Sequence, residues 1–328
     1  MKFDPVLLAP RMAPMKAAGL WRDETIDVHV QRALKNCPDK LAVVAYASDK
    51  GEPVRLTYRE LDARVDRVAR GLVSLGVGRQ DVVSFQLPNC WEFLVLCLAC
   101  ARIGAAANPV MPIFRQHELT FMLNFGESKV FIVPKLFRGF DHEAMARGML
   151  HDLPHLTNLV VIGGEGEDSF ESRLLGDDTP ALSGPGIGPD DVLLLMYTSG
   201  TTGEPKGVMH THDTQMAALI TLNATADYRI GDRYLNAMPL FHVGALTPAI
   251  VTVYRGLGHV LMRAFDPMKV WELVKAEKIT SSLLVPAMLG ACRALYDPTI
   301  HDYSSLRWFL SGAAPVPVDD RLRDVLRG

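Results

Sequence analysis

From residue 41 onward the chain alternates short aliphatic or β-branched runs with segments of helical period, and no other feature constrains its fold as much. Strand, helix and strand in succession bury their apolar faces together only when helices pack on a sheet. The pattern therefore predicts an α/β fold of layered sheets with helices on both faces. One helix can be read residue by residue. Thr57 and Glu60 have capping-box spacing: the threonine oxygen can accept from the third helical N–H while the glutamate reaches back to the cap's own N–H. Leu61, Val65, Val68, Leu72 and Leu75 then step by four and three onto one face, with Arg64, Asp66, Arg67 and Arg70 mostly on the wet side, and Gly76 tolerates left-handed backbone past the end.

Strands are expected over 82–87, 129–133, 159–162, 192–197, 258–262, 281–285 and 307–310. Asn89 is expected to cap a helix ending before Gly104, with further helices from about Thr211 and over 267–278. Between 163 and 189 glycine and proline are dense and charges cluster, so a surface connection with little regular structure and no core residues is expected. A chain of 328 residues exceeds the usual span of one core. The expected division is a first α/β subdomain over 1–190 and a second over 191–328.

Composition removes several classes of function. Lysine and arginine number 34 against 37 acidic residues, so no net field draws nucleic acid or an anionic membrane. The five cysteines, Cys37, Cys90, Cys97, Cys100 and Cys292, are odd in number, and the one CxxC among them lies in an apolar helical stretch, which predicts buried reduced thiols. Asp4 and Pro5 interrupt the start, unlike a signal peptide, and the longest apolar run, 93–101, is too short for a membrane span. A cytoplasmic protein without membrane insertion is expected.

The segment carrying most chemistry is Tyr197-Thr198-Ser199-Gly200-Thr201-Thr202-Gly203-Glu204-Pro205-Lys206-Gly207, after an apolar strand and before an expected helix. Its glycines free the backbone to wrap an anion, four hydroxyls add donors, and Lys206 adds a mobile positive charge. Together they suit a polyphosphate. A Walker A loop needs glycine directly before its lysine and a hydroxyl directly after, whereas Pro205 and Gly207 flank Lys206. His210 and His212 form an HxH without a third ligand at useful spacing, and are read as structural.

This run, with Val208, Thr211 and His212, resembles the phosphate-binding signature of the adenylate-forming superfamily: acyl- and aryl-CoA ligases, luciferases and the adenylation domains of peptide synthetases. Met238-Pro239-Leu240-Phe241-His242-Val243-Gly244 and Ser311-Gly312-Ala313-Ala314-Pro315 match further signatures in the expected order, so the resemblance spans essentially the whole chain. It implies the N-terminal domain of an acyl-CoA ligase using ATP, Mg2+ and CoA, in which a carboxylate attacks the α-phosphorus of ATP and the acyl-adenylate passes to CoA.

Carried over residue by residue, the resemblance assigns nucleotide binding to Thr198, Ser199, Gly200, Thr201, Thr202, Gly203, Lys206, Gly312, Ala313, Ala314 and Pro315. It assigns substrate binding to His242, Gly244, Ser311 and Gly312, catalysis to Lys206 and His242, and a metal contact to Thr198. Amino-acid-activating relatives place an aspartate where this chain has His242, which implies a carboxylic acid with an uncharged body. The stretch 108–115 resembles ligases for medium-chain or alicyclic acids such as cyclohexanecarboxylate. Relatives continue past residue 328 through a Mg2+-binding glutamate, a ribose-binding aspartate and a C-terminal lid with the adenylation lysine. The chain is therefore expected to be a truncated piece of a longer enzyme, able to fold but not to make acyl-CoA, and free to form oligomers. The alternative is a non-catalytic nucleotide- or acyl-binding fragment.

Overall fold

The computed structural model describes residues 3–5, 9–46, 51–176, 182, 186–198 and 205–315. In chain order the strands are β1 (Leu41–Tyr46), β2 (Val54–Thr57), β3 (Val82–Phe85), β4 (Ala106–Pro109), β5 (Ser128–Pro134), β6 (Leu136–Phe137) and β7 (Phe140–Asp141). They continue as β8 (Asn158–Ile162), β9 (Val192–Thr198), β10 (Lys206–Thr211), β11 (Arg233–Asn236), β12 (Gly258–Met262), β13 (Ser281–Leu284) and β14 (Trp308–Ser311). Two six-stranded sheets result, ordered β14-β13-β11-β12-β1-β2 and β10-β9-β4-β3-β5-β8. Pairing is parallel in both except at one edge of each, where β2 and β10 run antiparallel. This is the expected α/β class. Each sheet draws strands from both sides of residue 190, so the sheets do not sort along the 1–190 and 191–328 division.

The helix Tyr58–Ser74 forms as its sequence dictates. Glu60 N–H donates to Thr57 Oγ1 at 3.2 Å and Thr57 N–H donates to Glu60 Oε2 at 2.8 Å, closing the box. Leu61, Val65, Val68 and Leu72 are buried, and Gly76 takes φ 81°. The next helix, Trp91–Ile103, is buried from Phe93 through Ala101 and contacts β4 of one sheet and β1 of the other. A helix with a sheet on each side has no wet face, which is why the longest apolar run lies there.

Four expectations are corrected. The helix is capped by Cys90 rather than Asn89, whose side chain is spent elsewhere, and the strand before it stops at Phe85. The 163–189 stretch does fill core: Ser169 caps a short helix, Phe170–Leu174, whose Phe170 and Leu174 are fully buried. Two apolar residues four apart suffice here because the facing helix offers Gly71, where a Cβ would come within 2.6 Å of Leu174 Cα. The fourth concerns the segment after the phosphate-binding run: the helix expected from about Thr211 is present, but an unexpected strand, β10, precedes it. All five cysteines are buried and unpaired, as expected. His212 is structural too, its Nδ1 accepting from Ile26 N–H at 3.1 Å and burial holding its pKa down to about 4.

Candidate functional site

Ligands of open parallel sheets bind beyond the carboxyl ends of the strands, and the segments singled out from the sequence all leave strands at such ends or lie beside them. Thr198 ends β9, and β10 returns antiparallel with Lys206 paired opposite Thr198, both exposed. Ser199, Gly200, Thr201, Thr202 and Gly203 lie outside the described residues. No strand is expected from the sequence between this run and the helix from about Thr211; β10 is that additional strand. Helix His212–Ala226, the one expected from about Thr211 and capped by it, starts only after β10 has crossed back over the sheet. Lys206 is left as the cation at the hairpin's base. Tyr197 Oη anchors the strand by donating to Met122 O at 2.8 Å.

The second segment follows β11. Asn236 Nδ2 donates to Met238 O at 2.8 Å, and His242 N–H donates to Pro239 O at 3.0 Å, folding the chain into helix Val243–Arg255. His242 occupies the helix N-cap with an exposed side chain that makes no cap bond, so it is not a satisfied core histidine. A Cβ at Gly244 would meet nothing nearer than Met238 Cε at 3.8 Å, so protein packing alone does not require glycine there. Pro248 has no N–H to offer the carbonyl of Gly244.

The third segment leaves β14. Ser311 and Gly312 are half-buried and Ala313, Ala314 and Pro315 are exposed. Ala313 sits at φ 66°, a left-handed conformation costly for a residue with a Cβ. Such strain gathers where backbone is shaped for a ligand.

Between the sheets lies a cleft of about 580 Å³ lined by residues following β3, β4, β5, β11 and β12, among them Asn89, Met111, Phe137, Pro239, Phe241 and Phe265. Phe241 thus brings the second segment to the cleft, while His242, Gly244 and the β14 segment are not among its lining. Three guanidiniums line it, Arg115, Arg138 and Arg263, and no carboxylate does. Arg138 and Gly139 form the turn of the β6–β7 hairpin, at φ 50° and 76°. Phe137 lies 5.5 Å from both the Arg138 and the Arg263 guanidinium carbons, and Arg115 sits 3.8 Å over the Phe140 ring.

Behind them His142 Nδ1 lies 2.9 Å from Gln86 Oε1, while Gln86 Nε2 donates to Met111 O and Phe114 O at 2.9 Å each. The glutamine amide being committed as donor, His142 must carry its proton on Nδ1. Burial first, and then the nearby Arg115 charge, lower the His142 pKa to about 4, so the ring is neutral near pH 7. Sequence reading did not assign Arg115, Arg138, Arg263 or His142 a role. The available signal was an arginine within a few residues of the end of β4, β5 and β12.

Among the described residues no group of three or more histidine, cysteine or acidic side chains is placed to hold a metal ion. Thr198 offers a single exposed hydroxyl, a donor that fits only a hard cation taking most of its ligands from phosphate and water.

Residues 30–328 match the AMP-binding enzyme family, and the chain belongs to it. It is 36% identical over 266 residues to the long-chain-fatty-acid–CoA ligase FadD13 of Mycobacterium tuberculosis (strain ATCC 25618 / H37Rv), covering 80% of this chain and 51% of that one. It is 29% identical over 317 residues to the medium-chain fatty-acid–CoA ligase of Escherichia coli (strain K12), covering 94% and 54%. Among solved structures it is similar to the inhibitor-bound N-terminal domain of FACL13 from Mycobacterium tuberculosis, with TM-score 0.80, 32% identity, and 93% of this chain and 74% of that one covered. The chain spans about half the length of the curated relatives it matches. No helix among the described residues is long and apolar enough to cross a membrane.

Proposed function

We propose that this chain is the substrate-activating half of an ATP-dependent acid–thiol ligase that converts an uncharged carboxylic acid to its CoA thioester. One observation carries the reading: the β9–β10 hairpin with Lys206, the 238–244 segment and the 311–315 turn leave strands along the same carboxyl edge of two parallel sheets. A carboxylate oxygen attacks the α-phosphorus of ATP, forming the acyl–phosphate bond as the bond to pyrophosphate breaks. The CoA sulfur then attacks the acyl carbonyl, losing its proton, and AMP leaves.

Lys206, with Thr198, Ser199, Gly200, Thr201, Thr202 and Gly203, holds the β- and γ-phosphates and offsets charge as pyrophosphate departs. The turn Gly312, Ala313, Ala314 and Pro315 receives the adenine, and Ser311, Gly312 and Gly244 border the acid. His242, exposed at a helix N-terminus, stands beside the carboxylate, where a relative that binds amino acids would need an anion. Magnesium, held through Thr198 and the phosphates, would supply further charge neutralisation there. Three guanidiniums line the cleft and no carboxylate does, which suits the phosphates of CoA. Buried, unpaired cysteines fit a cytoplasmic setting.

The test is pyrophosphate exchange by the complete natural protein with a panel of aliphatic, alicyclic and aromatic acids and of α-amino acids. Exchange with simple acids and none with amino acids is expected. Robust exchange with an amino acid and none with any simple acid overturns the reading.

A further inference from the structure

Asn89 stands apart from the residues considered so far because it belongs to the loop after β3 of one sheet and spends its whole side chain on the other. It is 4% exposed. Its Nδ2 donates to Met238 O and to Met262 O, each at 2.9 Å, and its Oδ1 accepts from Leu240 N–H at 2.8 Å. Met262 is the last residue of β12, while Met238 and Leu240 lie between β11 and the Phe241-His242 pair. A single amide therefore ties together the carboxyl-end loops of two adjacent strands, and ties both to the opposite sheet.

The chemistry of the position admits few substitutes. It needs two donors and one acceptor in one plane, at the reach of a short side chain, in a place with almost no water to compensate a lost bond. Aspartate has the same shape but sets an oxygen against two carbonyls, and glutamine is longer by a methylene. Cys90, the next residue, caps the helix Trp91–Ile103, so Asn89 is backed by a rigid element rather than a free loop.

We infer that Asn89 is a positioning residue: its amide fixes the 238–241 segment, and through it Phe241 and His242, against the cleft wall built by the opposite sheet. The functional half of this inference rests on the ligase reading above; the structural half does not. It acts on the acid's side of the reaction and leaves the β9–β10 hairpin alone, because none of its three bonds reaches that hairpin.

The experiment has two readouts chosen to fail separately. In this chain, amide hydrogen exchange is followed at Leu240, with Leu235 of β11 as the internal reference, for Asn89→Ala and Asn89→Asp. Leu240 should exchange about ten- to hundredfold faster in Asn89→Ala, with Leu235 within about twofold of its unsubstituted rate. Asn89→Asp should behave likewise near pH 7. Relative to the unsubstituted chain at the same pH, it should regain protection as the pH falls, because protonating a carboxyl held against two carbonyls restores one donor.

In the complete natural protein, both variants should lower kcat for pyrophosphate exchange about tenfold while the KM for ATP stays within about twofold. Should Asn89→Ala fail to fold, Asn89→Asp across pH carries the same test. Unchanged Leu240 exchange, equal acceleration at Leu240 and Leu235, or an unchanged kcat each overturn the inference. Selective loosening at Leu240 in a protein whose unsubstituted form activates no acid overturns the ligase reading instead, and leaves the clasp standing.

Discussion

The base of the β9–β10 hairpin and the cleft between the sheets both present positive charge at the same edge, but they hold it differently. At the hairpin the charge is one exposed lysine on an antiparallel edge strand. In the cleft, Arg115 sits over the Phe140 ring, Arg138 and Arg263 both lie over Phe137 at 5.5 Å, and the wall behind is a network of His142, Gln86 and two backbone carbonyls. An ammonium on a flexible stem can follow charge that moves during a reaction. Planar guanidiniums held on rings recognise an anion that stays put. On the function proposed above, the difference would put transition-state work at the hairpin and ligand recognition in the cleft.

The sharpest way to break that division is Lys206→Ala in the complete natural protein. Pyrophosphate exchange should fall about a hundredfold, the usual scale for losing one preorganised charge-stabilising group. The KM for CoA should stay within about twofold. A CoA defect as large as the exchange defect would collapse the distinction between the regions. Next in size is the double substitution Arg138→Ala and Arg263→Ala, which should raise the KM for CoA about ten- to hundredfold through lost charge-assisted hydrogen bonds, with pyrophosphate exchange intact. Impaired exchange with normal CoA dependence would place the cleft on the ATP side.

A smaller effect separates the cleft wall from the rest by pH. The His142 pKa falls from an ordinary 6.5 to about 4 in the fold. Between those values the unfolded chain binds a proton the folded one refuses, so stability rises with pH across the window and is lost as the pH drops below about 6.5. At pH 5 the share from His142 is about 1–2 kcal/mol. Denaturant unfolding at pH 7 and 5 should show His142→Asn losing that much less between the two pH values than the unsubstituted chain, though it starts less stable. Equal losses would mean the histidine titrates normally. The smallest effect is expected at Ala313→Gly, where relief of left-handed backbone is largely offset by a freer unfolded chain, for a net gain of about 0–1 kcal/mol. A melting point raised by about 1–3 °C would agree, and a fall would mean that the strain at φ 66° is not relieved by glycine.

The 197–207 run stood out in the sequence because hydroxyls, glycines and lysine stand within one short stretch, whereas the return strand β10 did not. The helix Tyr58–Ser74 was legible for the same reason, since capping and amphipathic period are local. What escaped was local in space but not along the chain. Arg115, Arg138 and Arg263 meet only because β4, β5 and β12 end on the same side of two facing sheets. Asn89 looked like a helix cap because asparagine before an apolar run usually is one, and only the fold reveals the two carbonyls that claim its amide. The short helix Phe170–Leu174 was hidden by the glycines and charges around it, and becomes intelligible once Gly71 is seen to leave room for it.

The interleaving of the sheets also bears on how the chain must be made. The β1–β2 hairpin emerges early, yet the parallel partner of β1 is β12, more distant in the chain than any other strand pairing in its sheet. Until residues 258–262 leave the ribosome, the open edge of β1 has no neighbour of its own and is free to pair with another nascent chain. Loop closure over that distance is slow. Synthesis should therefore pass through a long interval in which a chaperone occupying that edge raises yield, and in which pausing between β2 and β12 lowers it.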